Sequence, residues 1–340
     1  MTGPVSRSAP ASLSAPQGVP APASLDLWPI GNCQVSGLID RAGRLVWGCV
    51  PRVDGDPAFC VLLDGGEGEP VHGFWDIALE NCETTEQSYL RNTPILVTRH
   101  ADARGNAIEV IDFCPRFHRR GRMYRPVAFV RIVRPVRGSP RIRVRLRPAR
   151  GWGAETAPNT RGSNHVRYLL DGDALRLTTD APIAWLESER LFRVERPLHF
   201  FLGPDESFSE DIRIALGTML DATASEWRQW VRGLATPREW QEAVIRAAIT
   251  LKLCQHEETG AIVAAMTTSI PEHANSQRNW DYRFCWIRDA YYTVQALNRL
   301  GALDVLEGYL EYLRNIVENA RGGHIHPLYG VGGEEDLPER

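Results

Sequence analysis

Residues 278–290 read Arg278-Asn279-Trp280-Asp281-Tyr282-Arg283-Phe284-Cys285-Trp286-Ile287-Arg288-Asp289-Ala290, with five charged and four aromatic side chains. A carboxylate accepts two hydroxyl protons, and a guanidinium donates through a planar fork. Arg288 beside Asp289 can therefore grip neighbouring hydroxyls of a polyol ring, which flat aromatic faces can cover. The aromatics Trp280, Tyr282, Phe284 and Trp286 fall at every second position, as in an extended segment with Asp281, Arg283 and Cys285 on its other face. Such an aromatic face is either a buried wall or a sugar platform. The pair also has a purely structural reading. Asp289 falls in the first turn of a helix, where exposed N–H groups favour a carboxylate, and Arg288 then pairs with a local acid.

The elements around this run divide the chain in two. From about residue 25 to 216 the pattern is strand-like. Leu45-Val46-Trp47 follows a turn at Asp40-Arg41-Ala42-Gly43, and Ile108-Glu109-Val110-Ile111-Asp112-Phe113 follows Gly105-Asn106. In Arg141-Ile142-Arg143-Val144-Arg145-Leu146-Arg147 apolar residues and arginines alternate, which predicts a solvated arginine face or one that packs on a neighbouring domain. Asp171-Gly172-Asp173 predicts a hairpin turn. Many short strands predict an N-terminal antiparallel β-sandwich over residues 25–216.

Helical periods replace strands after residue 216. Residues 217–236 read as a linker, with a helix over 222–234. Thr236 as N-cap, Pro237 at N1 and Glu239 at N3 predict a helix start, with Trp240, Val244, Ala247, Leu251 and Cys254 on its apolar face and Gly260 beyond its end. A second helix is predicted over 288–300, stopped by Gly301. A third is predicted over 303–319, with Leu306, Leu310, Leu313 and Val317 on one face, antiparallel to the second. The expected class is multidomain β + α, with 237–340 opening an all-α domain of helical hairpins. Residues 322–333 read as a loop followed by an acidic stretch. Three helices make a poor closed core, so a C-terminal truncation is expected. Residues 1–24, rich in Ser, Ala and Pro, read as a disordered tail without the apolar h-region of a signal peptide.

Bulk composition narrows the classes. A 340-residue chain with 43% hydrophobic and 24% charged residues fits two globular domains. A net charge of −3 gives no electrostatic case for nucleic acid or an anionic membrane, and no apolar run reaches the length of a membrane span. Lys252 is the only lysine among 39 basic residues, a bias that fits a GC-rich bacterial genome. Seven cysteines, without C-x-x-C spacing and odd in number, argue against disulfides or a zinc site and for the cytoplasm. His324 and His326 lack a matched partner, so neither metal nor cofactor is expected. The sequence gives no oligomeric state.

Beyond these readings, Thr267-Thr268-Ser269-Ile270-Pro271-Glu272 and the whole run 278–290 resemble glycoside hydrolase family 15, the family of glucoamylases, glucodextranases and bacterial trehalases. Pro327-Leu328-Tyr329-Gly330-Val331-Gly332-Gly333-Glu334 is similar to a loop of its bacterial members. The first half resembles their trehalase-like N-terminal domain at Ile30-Gly31-Asn32, Gly43-Arg44-Leu45-Val46-Trp47, Pro51-Arg52-Val53-Asp54 and Asp112-Phe113-Cys114-Pro115. The resemblance covers nearly everything after residue 25. Its departures are mild: Met266 stands where Pro is common, Val53-Asp54-Gly55-Asp56 replaces Phe-Asp-Ser, and Cys49 takes a small-residue position.

The resemblance implies an (α/α)6 barrel behind the sandwich and inverting hydrolysis of α-glucosides, trehalose or glucooligosaccharides, with release of β-glucose. It implies that Arg288 and Asp289 hold the terminal glucose, that Tyr282 lies against the reacting ring and that Trp286 walls the pocket. Trp280, Asp281, Tyr329 and Glu335 are carried as further contacts. The general acid and base, two glutamates in the family, match no residue here and are expected beyond Arg340. Glu334, Glu335 and Glu339 read as a solvated acidic loop. A non-catalytic carbohydrate-binding protein is the alternative, and a phosphorylase on a similar barrel is the third reading.

Overall fold

The computed structural model describes residues 25–63, 70–268, 279–320 and 323–337. The tail at 1–24, Arg278 and Glu339 lie outside the described residues. Two antiparallel sheets form the N-terminal region. One runs Trp28–Gly31, Ser36–Ile39, Leu45–Val50, Phe74–Leu79, Arg141–Arg147, Phe192–Arg193, with Asp56–Phe59 paired to Leu45–Val50. The other runs Asn159–Arg161, His165–Leu169, Ala174–Thr179, Leu198–Gly203, Phe129–Arg137, Ala107–Phe113, Leu96–Asp102, Cys82–Tyr89.

The facing sides share one core. Leu45, Phe59, Trp75 and Val144 of the first sheet meet Ile108, Phe129, Leu177 and Phe200 of the second. Each such burial contributes about 1.5–3 kcal/mol. A buried ion pair stitches the two sheets. Arg131 Nε donates to Asp112 Oδ1 at 2.7 Å, and its Nη1 donates across to the Trp75 carbonyl at 2.8 Å. The expected turns form. Gly43 N–H returns to Asp40 O at 3.0 Å with φ at +78°, and Gly172 turns between paired Leu169 and Ala174 at φ +88°.

The arginine face of Arg141–Arg147 departs from expectation. Arg145 is buried against Asp76, Arg147 pairs with Glu189 at 2.6 Å and Arg141 with Glu80 at 3.1 Å. Arg145 and Arg147 also lie over the Phe74 ring, at 5.4 and 5.6 Å. Acids from the neighbouring strand and from a loop after the short helix α1 (Ile183–Glu187) consume most of that charge.

Helix α2 (Ile212–Arg232) starts at Ile212 rather than 222, because the Asp211 carboxylate accepts the Arg213 N–H at 2.8 Å and caps it. It lays Leu216, Met219, Leu220 and Ala224 on the outer face of the second sheet, against Ile111, Val130 and Phe201. Helix α3 (Gln241–Leu253) begins after the expected Thr236-Pro237 start. Trp240 sits just before it at φ +57° and is 82% exposed, so it belongs to no apolar face. The buried side is Ile245, Ala248, Ile249 and Leu253, not Val244, Ala247 and Leu251. Two apolar stripes lie side by side here, and contact with Leu38 and Trp47 of the β region selects between them.

Helices α4 (Ile287–Asn298) and α5 (Leu303–Asn319) pack as the expected pair. On α5 the core takes Val305, Tyr309, Tyr312 and Ile316. Leu306 and Leu313 are only partly buried, and Leu310 and Val317 are exposed, against the sequence expectation. The tyrosines win because their hydroxyls find acceptors: Tyr312 O–H reaches the Gly330 carbonyl at 2.7 Å and Tyr309 O–H the Ile287 carbonyl at 3.4 Å.

A ring of ions joins the β region to the helices. Glu257, just after α3, accepts from Arg116 at 2.7 Å, Lys252 at 2.9 Å and Arg125 at 3.4 Å. Arg116 also meets Glu226 of α2 at 3.3 Å, and Lys252 meets Asp304 of α5 at 2.9 Å. Three cations thus face three carboxylates, with Lys252 only 2% exposed. Burial raises the Glu257 carboxyl, but Lys252 and Arg116 outweigh it and bring it down to about 2.

Candidate functional site

The segment from 280 to 289 folds around one buried guanidinium. Arg283, 2% exposed, takes both oxygens of Asp281: Nε lies at 3.0 Å from Oδ1 and Nη2 at 2.6 Å from Oδ2. The Asp281 carboxylate also accepts the Arg283 backbone N–H at 3.0 Å, an Asx turn. The other end of Arg283 reaches into the β region, donating to the Gly55 carbonyl and to Cys49 Sγ at 3.5 Å, and lies 4.6 Å from the Trp152 ring. Burial pushes the Cys49 thiol up to about 12, so it stays neutral there. Burial alone would lower Arg283, but the adjoining Asp281 keeps it above the ordinary arginine value.

This arrangement decides what the aromatic alternation means. Arg283 and Cys285 are the buried face, at 2% and 0% exposure. The aromatic face is the open one. Trp280 is exposed, and Tyr282 and Trp286 are half-buried. The Trp286 ring meets Trp280 edge-on at 6.1 Å and Tyr282 at 6.3 Å, and its Nε1–H is fixed on the Asp281 carbonyl at 2.8 Å. The three rings form an orientated, solvent-facing surface.

Arg288 and Asp289 follow at the start of α4. The helix has Trp286 as N-cap with no side-chain cap bond, so Asp289 does not cap it. Arg288 Nη2 donates to Asp289 Oδ2 at 3.4 Å, with the arginine side chain 76% exposed. A long, solvent-facing pairing of this kind costs little to open, and a bidentate donor beside a carboxylate suits vicinal hydroxyls.

Two of the further candidates have other work. Both Asp281 oxygens are occupied by Arg283. Tyr329 is fully buried, pairs with Cys285 across the short ladder Cys285–Trp286 to Leu328–Tyr329, and its hydroxyl accepts the His326 N–H at 2.9 Å. Both frame the site. Glu335 is exposed and lines a cleft of about 400 Å³ with Glu257, Glu311, Tyr312 and Asn315. That cleft does not include Tyr282, Trp286, Arg288 or Asp289.

Residues from the β region complete the frame, and sequence reasoning gave them no role. Trp47 Nε1–H donates to the Met266 carbonyl at 2.7 Å, and Asp54 Oδ2 accepts the Val331 N–H at 3.1 Å. Charged side chains packed between Pro51 and Gly55 were the available signal. Among the described residues no cluster of His, Cys, Asp or Glu could hold a metal ion, and no helix is long and apolar enough to cross a membrane. All seven cysteines are free.

A β region clamped to helices that open with an aromatic, Arg-Asp loop agrees with a family assignment. Residues 239–340 match the family model for glycosyl hydrolases family 15, and this C-terminal part of the chain belongs to that family. The likeness to individual proteins runs further along the chain. It is 30% identical to a trehalase of Mycolicibacterium smegmatis over 99% of this chain and 54% of the relative. It is 31% identical to a trehalase of Mycobacterium tuberculosis over 97% of this chain and 52% of that protein. A trehalase of Thermoplasma volcanium is 26% identical over 92% of the chain and 50% of its own length. The chain spans about half the length of the curated relatives it matches.

Proposed function

We propose that this chain is the glucose-holding portion of an inverting α-glucoside hydrolase that acts on trehalose, with α-linked glucooligosaccharides as the wider substrate class. The observation that carries this reading is the open aromatic face of Trp280, Tyr282 and Trp286 leading into Arg288 and Asp289, inside the family-matched region. In this reading Asp289 accepts, and Arg288 donates, hydrogen bonds to hydroxyls of the terminal glucose, Tyr282 lies against the reacting ring, and Trp286 and Trp280 wall it. Asp281 and Tyr329 hold these groups in place, and Glu335 stands at the margin.

Inversion needs two carboxyl groups on opposite faces of the bond, about 6.5–9.5 Å apart, one protonating the leaving oxygen and one activating water. In this reading they come from the part of the relatives' length that this chain does not span. The domains run 25–216, 217–236 and 237–340, the last contributing the first hairpins of an (α/α)6 barrel. The apolar side chains left exposed on α4 and α5, Tyr291, Tyr292, Leu310 and Val317, suit burial by further helices. Seven free thiols suit a reducing cytoplasm.

Trehalose joins two α-glucoses, so inversion at one anomeric carbon yields one β-glucose for each α-glucose. Proton NMR of fresh hydrolysate from the protein at its relatives' length is expected to give that equal mixture at early times. α-Glucose alone would overturn inversion. Inertness toward both trehalose and maltotriose would overturn the hydrolase reading.

A further inference from the structure

We infer that Asp54 and Arg52, in the β region, are positioning residues for the sugar-holding loops, an inference that rests on the α-glucoside reading above. They lie in the short connection between strands Leu45–Val50 and Asp56–Phe59. The Asp54 side chain is 2% exposed. Its Oδ1 accepts Arg52 Nε at 2.9 Å, and its Oδ2 accepts Arg52 Nη2 at 3.1 Å and the Val331 N–H at 3.1 Å. With both oxygens engaged and buried, Asp54 cannot serve as an acid or base toward substrate.

Arg52 carries the connection onward. Its Nη1 donates to Glu334 Oε1 at 2.9 Å, and Glu334 Oε2 accepts the Gly332 N–H at 2.9 Å. The Glu334 carbonyl accepts the Gly330 N–H at 3.0 Å, which closes the turn on itself. A side chain at Gly332 would meet Glu334 Oε1 at 2.5 Å and Arg52 Nη1 at 2.8 Å, so this wrapping admits only glycine. The same connection holds the other loop, since Arg283 is anchored on the Gly55 carbonyl. One seven-residue piece of the β region, residues 50–56, therefore grips both segments that frame the site. The segments are themselves paired, Cys285 to Tyr329 and Trp286 to Leu328. Losing the Asp54 carboxylate would free the 330–334 turn and, through that ladder, the Trp286 ring and the start of α4.

The test compares Asp54→Ala, Asp54→Asn and the unaltered chain. Amide hydrogen exchange reports Val331 and Gly332, and tryptophan fluorescence reports titration with trehalose and maltotriose. A hydrogen bond to a charged group is worth about 1.5–3 kcal/mol, so Asp54→Ala is expected to speed exchange at Val331 by about 10–100-fold and to weaken sugar binding by about 10-fold. Asp54→Asn keeps an acceptor for Val331 and is expected to recover part of both. Unchanged Val331 exchange in Asp54→Ala would overturn the clamp. Faster exchange with unaltered sugar affinity would overturn the positioning role. If the unaltered chain binds neither sugar, the α-glucoside reading and the positioning role for it fall together, while the exchange data still decide whether Asp54 holds the turn.

Discussion

Glu257→Gln is expected to cost about 3–5 kcal/mol of folding stability, the range for removing one partner from a buried ion pair. The substitution keeps the shape of the side chain but leaves Lys252, 2% exposed, and Arg116, 5% exposed, without the carboxylate they share. Two buried cations then face each other with only Glu226 and Asp304 to balance them. At about 2–4 °C per kcal/mol for a region of this size, the melting temperature falls on the order of 10 °C. Asp304→Asn is the control, because that side chain is 53% exposed and its loss is screened, costing less than about 1 kcal/mol.

The same carboxylate sets an acid limit. Its folded value, about 2, lies below the ordinary 4.5. The proton therefore prefers the unfolded chain, and the stabilisation is fully present above pH 4.5 and lost as pH falls from there toward 2. Denaturant unfolding of the unaltered chain should show this loss, and Glu257→Gln should lack it. An identical acid profile in the two proteins would sink the assignment.

Asp289→Ala is the other large effect, expected on sugar rather than on folding. A carboxylate accepting two hydroxyls contributes about 1.5–3 kcal/mol through each, so kcat/KM on trehalose in the protein at its relatives' length is expected to fall about 10²–10⁴-fold. The competing structural reading, a carboxylate favoured by its place in the first turn, predicts a stability loss of only about 0.3–1 kcal/mol and no change in kinetics. Measuring both quantities on one variant separates the two. Full activity with a small stability loss would remove Asp289 from the sugar site.

Local chemistry was legible in the sequence, and choices made by distant partners were not. The Asp40 to Gly43 turn and the strand Arg141–Arg147 follow from a few neighbouring residues. So do the N-terminal family motifs, because they are turn and anchor chemistry. Buried Asn32, for example, donates to the Pro115 and Pro126 carbonyls at 3.0 and 2.8 Å while accepting the Val35 N–H at 3.0 Å. The apolar side of α5 was misread because two stripes satisfy the helical period, and only the acceptors at Ile287 and Gly330 favour the tyrosines. The arginine face on Arg141–Arg147 was misread because Asp76 is distant along the chain. At the candidate site the alternation of rings and ions was visible, but not which face is open. That depends on Arg283 finding Gly55 and Cys49 more than 200 positions away.

The ion ring has a practical consequence through its lysine. The chain has a single ε-amine, and it is sequestered between the β region and α5. Amine-directed cross-linkers, dyes and immobilisation chemistries therefore have no lysine to reach on the native surface, and trypsin's lysine site is closed. Acylation at Lys252 becomes a clock for separation of the two regions, running only while the junction is open.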